Sequence, residues 1–208
     1  MKITKYPQSC MIIEQNNKRM IIDPGSFVSE NYKVSELLPL DLVLITHEHS
    51  DHIDKKLLEN ILKSKNIPVV ANKSTSILLE DMVTNIIEDY EEITLEGFKI
   101  IARELPHVLM VDGSTGPQNT GYIIDGIFFH AGDGINIENL KIDTAAIPIA
   151  GPDISPKDVK EFIDQIECHT IIPIHYDFFT ENPEMLNNNY FFPDVKAIIL
   201  ENGQSTEI

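Results

Sequence analysis

The sequence contains no tryptophan, only two cysteines and no long hydrophobic run. No stretch approaches the ~20 apolar residues that a helix needs to span a bilayer, and residues 1–7 lack the apolar core of a secretory signal. Cys10 and Cys168 lie in apolar, strand-like surroundings, which indicates buried free thiols and no disulfide framework. We therefore expect a soluble cytoplasmic protein with no membrane partner.

Positive charge is scarce as well. Sixteen lysines and arginines stand against 33 acidic residues, so the formal net charge is −17. Such an acidic surface repels nucleic acid unless basic residues form a local groove, and no run of lysine or arginine would form one. We expect a small-molecule substrate and no nucleic-acid partner. The length suits one domain over residues 1–208, and a homo-oligomer is compatible with it.

Strand-like apolar runs come in hairpin pairs early in each half of the chain, and helical patterns are interleaved with the later strands. Residues 15–18 are typical of a hairpin turn, and Asp125-Gly126 is a strong hairpin signal. The predicted strands are residues 10–14, 19–23, 42–45, 67–71, 93–95, 98–102, 121–124, 127–130, 145–149, 170–174 and 196–200.

Apolar residues at helical spacing predict three helices. They cover residues 54–65, residues 75–82 with Ser74 or Thr75 as the cap, and a segment that starts with Ser155-Pro156. Two sheets packed face to face, with helices on both outer faces, would bury all of these apolar stripes. We therefore predict an α+β fold.

The densest group of metal-binding side chains is His47-Glu48-His49-Ser50-Asp51-His52, directly after the apolar run 42–45. Alternation places His47 and His49 on one side of the chain, where both imidazoles can hold one ion, at about 2.0–2.1 Å for zinc. Asp51 and His52 come where the chain turns into the next helix, so they can face a second ion. Glu48 points the other way and is interpreted as a solvated or supporting acid, not a ligand.

Three further candidate ligands each follow a predicted strand. His107 follows residues 100–105, Asp133 follows residues 127–131, and His175 follows residues 171–174. Side chains at strand ends are held by a rigid scaffold, which a metal site requires. Together with the cluster they give the order His-x-His-x-Asp-His, His, Asp, His.

That order resembles the metallo-β-lactamase superfamily, and the resemblance extends over nearly the whole chain. The details are most similar to the small hydrolases grouped with the ascorbate-6-phosphate lactonases. It rests on Ser9-Cys10, Ile21-Ile22-Asp23-Pro24-Gly25, residues 46–52, Thr120-Gly121-Tyr122, His130-Ala131-Gly132-Asp133 and Pro173-Ile174-His175-Tyr176. The resemblance implies a four-layer αββα sandwich with the metals at one edge of the two sheets.

The resemblance also implies a role for each candidate residue. Asp23 matches an acid behind the metal loop that orients a ligand or the loop backbone. Two ions would share seven ligands, which are His47, His49 and His107 for the first, Asp51, His52 and His175 for the second, and Asp133 as the bridge.

The chain departs from the family pattern at two places. Gly134 stands where a threonine commonly follows the bridging aspartate, and Pro7-Gln8 replaces the usual Gly-His or Gly-Gln before the serine. Neither change removes a ligand. Of the two remaining histidines, His130 is interpreted as a structural hydrogen-bonding residue and His169 as an ordinary surface or packing residue.

The chemistry expected from such a site is hydrolysis. Two cations that share a water can lower its pKa from 15.7 to about 7 and polarise a C=O or P–O group. The resulting hydroxide would attack a small cytoplasmic metabolite such as a lactone or a phosphate ester. Asp51 would orient the water and pass its proton to the leaving group. The nitrogen-rich ligand set favours Zn²⁺, with Mn²⁺ or Fe²⁺ as alternatives.

Other functions are compatible with parts of this pattern. A phosphodiesterase or nuclease of the RNase Z type usually brings a substrate-gripping insertion and positive charge, and the sequence has neither. A single-iron sulfur dioxygenase would use only the three-histidine site, and a scaffold protein would keep the fold without turnover. His49 argues against the di-iron electron-transfer branch, in which this position is typically glutamate.

An aromatic segment follows His175 directly. It runs from Tyr176 to Phe192 and contains six aromatic residues. One interpretation is a loop packed on the core or on a second subunit. The other is a wall or lid of the substrate pocket.

Overall fold

The strands of the protein form two sheets of seven strands each within residues 1–177, 182–188 and 192–208, which the computed structural model describes. The first sheet contains β1 (Lys2–Lys5), β2 (Met11–Gln15), β3 (Lys18–Ile22), β4 (Leu42–Ile45), β5 (Val69–Ala71), β6 (Asn85–Ile86) and β14 (Ser205–Glu207). The second contains β7 (Glu92–Leu95), β8 (Phe98–Leu105), β9 (Asn119–Ile124), β10 (Phe128–His130), β11 (Thr144–Pro148), β12 (Thr170–Ile174) and β13 (Lys196–Ala197).

Both sheets have the same plan. The strand orders are β14-β1-β2-β3-β4-β5-β6 and β13-β12-β11-β10-β9-β8-β7. Each sheet has an antiparallel part built from hairpins and a parallel part built from crossovers. The helices are α1 (Ser26–Asn31), α2 (Val34–Leu37), α3 (Lys55–Ser64), α4 (Lys73–Leu79) and α5 (Pro156–Gln165), with 3₁₀ turns at Glu80–Met82 and Pro183–Asn187.

Three apolar clusters separate four layers. Strand alternation sends Met11 and Ile13 of β2 into the cluster between the sheets, whereas Ile12 faces the helices α1 to α4. On the other side, Val159 and Phe162 of α5 pack on the outer face of the second sheet. Each fully buried aliphatic side chain contributes about 1.5–3 kcal/mol of transfer free energy, so all three interfaces stabilise the fold. The predicted α+β sandwich with the layer order αββα is confirmed.

Two of the three predicted helices have the expected caps and buried faces. The carboxylate of Asp54 accepts from the backbone N–H groups of Lys56 and Leu57 at the start of α3, at 2.8 and 3.0 Å. Ser155 and Asp158 form a reciprocal capping box at the start of α5. These caps satisfy backbone donors that the first helical turn leaves free.

The third predicted helix is shifted. It begins at Lys73, before the predicted start, because the side chain of Asn72 accepts from the N–H of Thr75 at 2.8 Å and is the cap. It ends at Leu79 because Glu80 adopts φ 52° and ψ −128°, and a 3₁₀ turn follows. The cap predicted at Ser74 or Thr75 is therefore wrong.

The last predicted strand is shorter than residues 196–200. β13 pairs with β12 only at Lys196 and Ala197, and Ile198 N–H still donates to Ile171 O at 2.7 Å. The ladder stops there because Pro173 has no N–H with which to continue it. The pairing of β1 with β14, which joins the two ends of the described chain, was not predicted, and neither were α1 and α2.

The strand directions bring the exits of three strands to one edge. β8 and β10 are both antiparallel to β9, and β10, β11 and β12 are parallel, so β8, β10 and β12 run the same way. Two hydrogen bonds join the exit of β4 in the other sheet to this region. Tyr122 Oη donates to Ile45 O at 2.8 Å, and Thr120 N–H donates to Thr46 O at 3.0 Å. None of the helices in the described part of the chain has both the length and the apolar character to cross a bilayer.

Candidate metal centre

All seven predicted ligands lie together at this edge. They form two groups, and within each group the candidate ligand atoms lie within 4.8 Å of one another. The groups are His47, His49, His107 and Asp133, and Asp51, His52 and His175. Residues separated by up to 128 positions therefore meet because four strand exits converge.

The carboxylate of Asp133 lies between the two groups. Its Oδ2 is 3.5 Å from His107 Nε2 in the first group and 3.1 Å from His175 Nε2 in the second. Its Oδ1 is 3.1 Å from His52 Nε2. The Asp133 carboxylate therefore faces both groups, the position that the family resemblance implies for the bridging ligand.

Four of the ligand histidines are oriented by a partner at Nδ1. The partners are Thr46 Oγ1 for His47 at 3.1 Å, Asp23 Oδ2 for His52 at 2.7 Å, Val108 O for His107 at 2.6 Å and Ala150 O for His175 at 2.9 Å. Carbonyl and carboxylate oxygens only accept, so Nδ1 carries the proton in His52, His107 and His175. The Thr46 hydroxyl donates its proton to Asp23 Oδ2, so it accepts from His47 Nδ1. In the neutral ring the Nε2 lone pair is then free to face the centre.

The donor atoms fit divalent cations. His47 Nε2 and His49 Nδ1 are 3.1 Å apart, and two nitrogens on one tetrahedral zinc at ~2.0–2.1 Å would lie about 3.3 Å apart. Within the described residues, His52 Nε2, His107 Nε2 and Asp133 Oδ1 are buried and make no hydrogen bond of acceptable geometry. Buried polar atoms of this kind need a partner, and a bound cation would supply one for all three.

The electrostatics of the site also favour a cation. Burial lowers the pKa of His47 and of His49, so both rings favour the neutral form. Burial alone would raise the pKa of Asp133 and Asp51, but the charge of His175 at the first and its hydrogen bond at the second outweigh it and hold both carboxyls well below their usual range. Two carboxylates therefore stay ionised in a buried site.

The carboxylates in turn raise the pKa of two histidines in the second group. Burial favours neutral rings at His52 and His175, but the neighbouring carboxylate of Asp133 outweighs it and raises the pKa of both. In the absence of metal, protons on these rings balance the carboxylates. A cation that replaced those protons would meet the same negative charge.

Asp23 and Thr46 hold the metal loop from behind. Asp23 is fully buried and accepts from Thr46 N–H and from Thr46 Oγ1, both at 2.8 Å, while it contacts His52 Nδ1. Gly25 is required beside this loop, since a Cβ on Gly25 would lie 1.9 Å from Asp51 O. The sequence-based role of Asp23, orientation of a ligand and of the loop backbone, is the role that these contacts can perform.

Three supporting residues were missed in the sequence. The Asn119 side chain accepts from Asp133 N–H at 3.1 Å, and Asn72 Nδ2 donates to Thr46 O at 3.0 Å. Gln8 Nε2 donates to Asp51 Oδ2 at 3.3 Å. Asn119 and Gln8 directly precede motifs that match the family, and Asn72 is a strong capping residue ahead of a helix. Position in the sequence was therefore the only indication that these residues support the site.

One of the two departures from the family pattern, Gly134, has a structural explanation, and the remaining histidines and Glu48 lie outside the two groups of ligands. Gly134 is required because a Cβ there would lie 2.4 Å from Leu105 Cβ. Buried His130 contacts Ser9 O through Nε2 at 2.8 Å and accepts from Gly132 N–H through Nδ1, as its structural interpretation expects. His169 is largely exposed. The carboxylate of Glu48 accepts from Ser74 Oγ at 3.0 Å.

The comparisons with known proteins agree with this geometry. The sequence model of the beta-lactamase superfamily domain matches residues 2–175. The chain belongs to this superfamily. A UPF0173 metal-dependent hydrolase of Thermococcus onnurineus is 31% identical over 214 residues, which cover 92% of this chain and 93% of the relative.

Solved structures show the same fold. Igni18, a metallo hydrolase from Ignicoccus hospitalis, superposes with a TM-score of 0.77 at 20% identity and covers 100% of this chain and 98% of its own. YhfI, a metallo-beta-lactamase fold protein from Bacillus subtilis, gives a TM-score of 0.74 at 15% identity and covers 99% of both chains. Together with the donor set, the family supports metal-dependent hydrolysis as the class of reaction.

The aromatic segment is described at residues 176–177, 182–188 and 192, which include two of its six aromatic side chains. Tyr176 Oη donates to Leu200 O at 3.3 Å, and Phe192 is buried against the outer face of the second sheet. These two side chains pack on the core. Phe178, Phe179, Tyr190 and Phe191 lie outside the described residues, so the interpretation of the segment as a pocket wall or lid stays a prediction.

Proposed function

We propose that the protein is a binuclear metal-dependent hydrolase of a small metabolite, a lactone or a phosphate ester. The observation that carries the proposal is the placement of the Asp133 carboxylate between two groups of buried donor atoms. One oxygen faces His52 and the other faces His107 and His175. Seven ligands arranged around one shared carboxylate are suited to two ions.

When bound, two divalent cations would supply hydroxide at neutral pH and polarise the scissile carbonyl or phosphoryl group. Asp51 is the residue of this chain that can move a proton. Its Oδ2 is held by Gln8 Nε2 and lies 3.2 Å from His175 Nε2, and the carboxylate lines the cavity above the centre. There it can orient the attacking water and pass the proton to the leaving oxygen.

Zinc is the expected metal, because imidazole nitrogens make up five of the seven ligands, and Mn²⁺ or Fe²⁺ are the alternatives. A small molecule in the cytoplasm remains the expected substrate. The acidic chain, with its net charge of −17, supports this choice over nucleic acid.

The test combines metal analysis with a substrate screen. Protein purified without added metal should contain two ions per chain and should hydrolyse members of a panel of lactones, phosphodiesters and thioesters. Asp133→Ala should lose both metal and turnover, and Asp81→Asn, which changes an exposed acid in the 3₁₀ turn Glu80–Met82, should keep both.

Three results would contradict the proposal. Full activity of Asp133→Ala would show that Asp133 is not a ligand of a catalytic metal centre. Preferred turnover of transfer RNA would replace the small-molecule substrate by a nuclease function. Oxygen consumption with one iron per chain would replace hydrolysis by dioxygenase chemistry.

A further inference from the structure

Two cavities meet at the mouth of the metal centre. The inner cavity, of about 230 Å³, lies over the ligands, and its apolar wall is formed by Val108, Met110 and Pro152. The outer cavity, of about 520 Å³, extends away from His107 between β8 and α5. His107 and Val108 line both, so a substrate held at the metals can extend from one into the other.

The walls of both cavities present apolar side chains to a ligand. Val108, Leu109, Ile135 and Phe162 line the outer cavity. Leu109 is 41% exposed, and Val111, two residues further on, is 88% exposed. In the segment 108–111, Val108 is buried and lines both cavities, Leu109 is exposed and lines the outer one, and Val111 is exposed but lines neither. An exposed apolar side chain at a cavity wall, such as Leu109, is suited to bind an apolar group.

Outside the metal centre, the described lining of the two cavities lacks the basic side chains that usually bind a phosphate. No lysine or arginine lines either one within the described residues, and residues 178–181 and 189–191 contain none. The acids that line the outer cavity are Asp153, Asp158 and Glu161. A phosphate ester would have to bring its own negative charge beside three carboxylates.

Neighbouring basic residues are already engaged. Lys157 pairs with Glu161 at 3.0 Å and does not line the cavity. Arg103 lies in an adjacent cavity, where it donates to Glu138 O at 2.7 Å and stacks over the Tyr90 ring. The start of α5 does not replace them, because Asp158 in its first turn repels an anion.

We propose that the substrate is an uncharged acyl compound, a lactone, ester or thioester, whose apolar acyl chain lies in the outer cavity. This inference rests on the proposed hydrolase function and removes phosphate esters from its substrates. Water adds to the acyl carbon, the bond to the leaving oxygen or sulfur breaks, and the leaving group takes the proton. The product acid then loses its proton to the solvent.

The test compares substrates that share one leaving group. They are p-nitrophenyl acetate, butyrate and hexanoate, p-nitrophenyl phosphate and bis(p-nitrophenyl) phosphate, measured with the metal-containing protein. We expect kcat/KM to rise from acetate to hexanoate by up to about fourfold for each added CH₂, the factor that corresponds to ~0.8 kcal/mol. Both phosphates should react more than about 100-fold more slowly than hexanoate, because binding to the metals must overcome the carboxylates.

Two variants locate the chain in the outer cavity. Leu109→Ser should raise KM for hexanoate more than KM for acetate, because only the longer chain reaches Leu109. Leu78→Ser alters a leucine of α4 that is similarly exposed, at 47%, and lies outside both cavities, so it should change neither constant.

The outcomes separate this inference from the function on which it rests. Preferred hydrolysis of either phosphate, or equal kcat/KM for the three acyl esters, would overturn the inference while the hydrolase function stood. Turnover of all five substrates that is the same in Asp133→Ala as in the unchanged protein would reject the metal-dependent function itself.

Discussion

The two walls of the site are built in opposite ways. On one wall, the metal loop of residues 46–52 is held by fully buried polar groups, with Asp23 and Asn72 bonded to Thr46 from two directions. On the other wall, the segment 108–111 carries exposed apolar side chains, and its turn is closed by the hydrogen bonds Met110 N to Ser114 O and Gly113 N to Met110 O. Buried side chains of other segments hold the metal loop by hydrogen bonds, whereas the segment 108–111 is held by the backbone hydrogen bonds of its own turn.

The difference follows from what each wall has to do. Ions require ligands at fixed distances, and each buried hydrogen bond behind a ligand costs about 1–3 kcal/mol if one partner is left unsatisfied. Binding of an apolar chain depends on the area of apolar surface that is buried and little on the exact direction of each contact. The braced wall should therefore tolerate almost no change, whereas the apolar wall should tolerate substitutions that alter only which substrate is bound.

The largest effect is expected from the ligand that joins the two groups. Asp133→Asn keeps the shape of the side chain but removes the charge that both groups share, so activity should fall by about 10³-fold or more. His107→Ala should reduce the metal content to about one ion per chain, since it removes a ligand of the first group alone. Metal analysis and kcat/KM measured on the same samples check both, and two retained ions in Asp133→Asn would contradict the bridging role.

The next effect tests the buried bracing. Asp23→Asn loses an acceptor for Thr46 or for His52, so metal affinity should fall about 10–100-fold. Asp54→Ala removes the cap of α3 and should cost about 1 kcal/mol of unfolding free energy without changing metal affinity. Competition titration with a chelator and thermal denaturation distinguish the two, and equal metal affinity in both variants would show that bracing by Asp23 does not matter.

A smaller effect on metal affinity is expected for Asn72, which lies behind the metal loop and contacts it through a backbone carbonyl. Asn72→Ala removes the cap of α4 and the bonds from Nδ2 to Thr46 O, Gln118 O and Thr120 Oγ1. The unfolding free energy should fall by about 2 kcal/mol, because buried acceptors lose their donor. Metal affinity should change less than in Asp23→Asn, since Asn72 touches the metal loop only through a backbone carbonyl. Chemical denaturation of the metal-free protein measures the unfolding free energy. If Asn72→Ala lost more metal affinity than Asp23→Asn, the expected order of the two effects would be wrong.

The smallest effect on stability is expected at the apolar wall. Val111 is 88% exposed, so Val111→Ser should leave the unfolding free energy within about 0.5 kcal/mol of the unchanged value. Val70→Ser, in the cluster between the two sheets, should cost several times more because it buries a hydroxyl in the core. Parallel denaturation curves provide the check, and a large loss at Val111 would mean that the segment is braced after all.

Much of this site was predictable because its signals are local. Metal-binding side chains between residues 47 and 52 are dense enough to be recognised without a structure, and His107, Asp133 and His175 each follow an apolar run. Turn residues, capping residues and alternation predicted most strands and three of the five α-helices, one of them with shifted ends. These features depend on neighbours within a few positions, which a sequence displays directly.

The supporting residues were not predictable in the same way. Asn119 and Gln8 matter because of contacts with Asp133 and Asp51, which are 14 and 43 positions away. Gly134 closes a turn through its N–H, which donates to Ala131 O, but its small size is required by Leu105 at the end of β8. The shortened β13 likewise depends on a proline in its neighbour, β12.

The amino-acid sequence alone determined which side chains could hold a metal and which segments would become strands and helices, because both depend on residue type and short-range spacing. Only the tertiary structure decided that Asp133 lies between the two groups, that four histidines are oriented from behind, and that the adjoining cavity is lined by apolar side chains together with three acids. Those properties depend on the relative direction of strands far apart in the chain, and packing of the two sheets sets that direction.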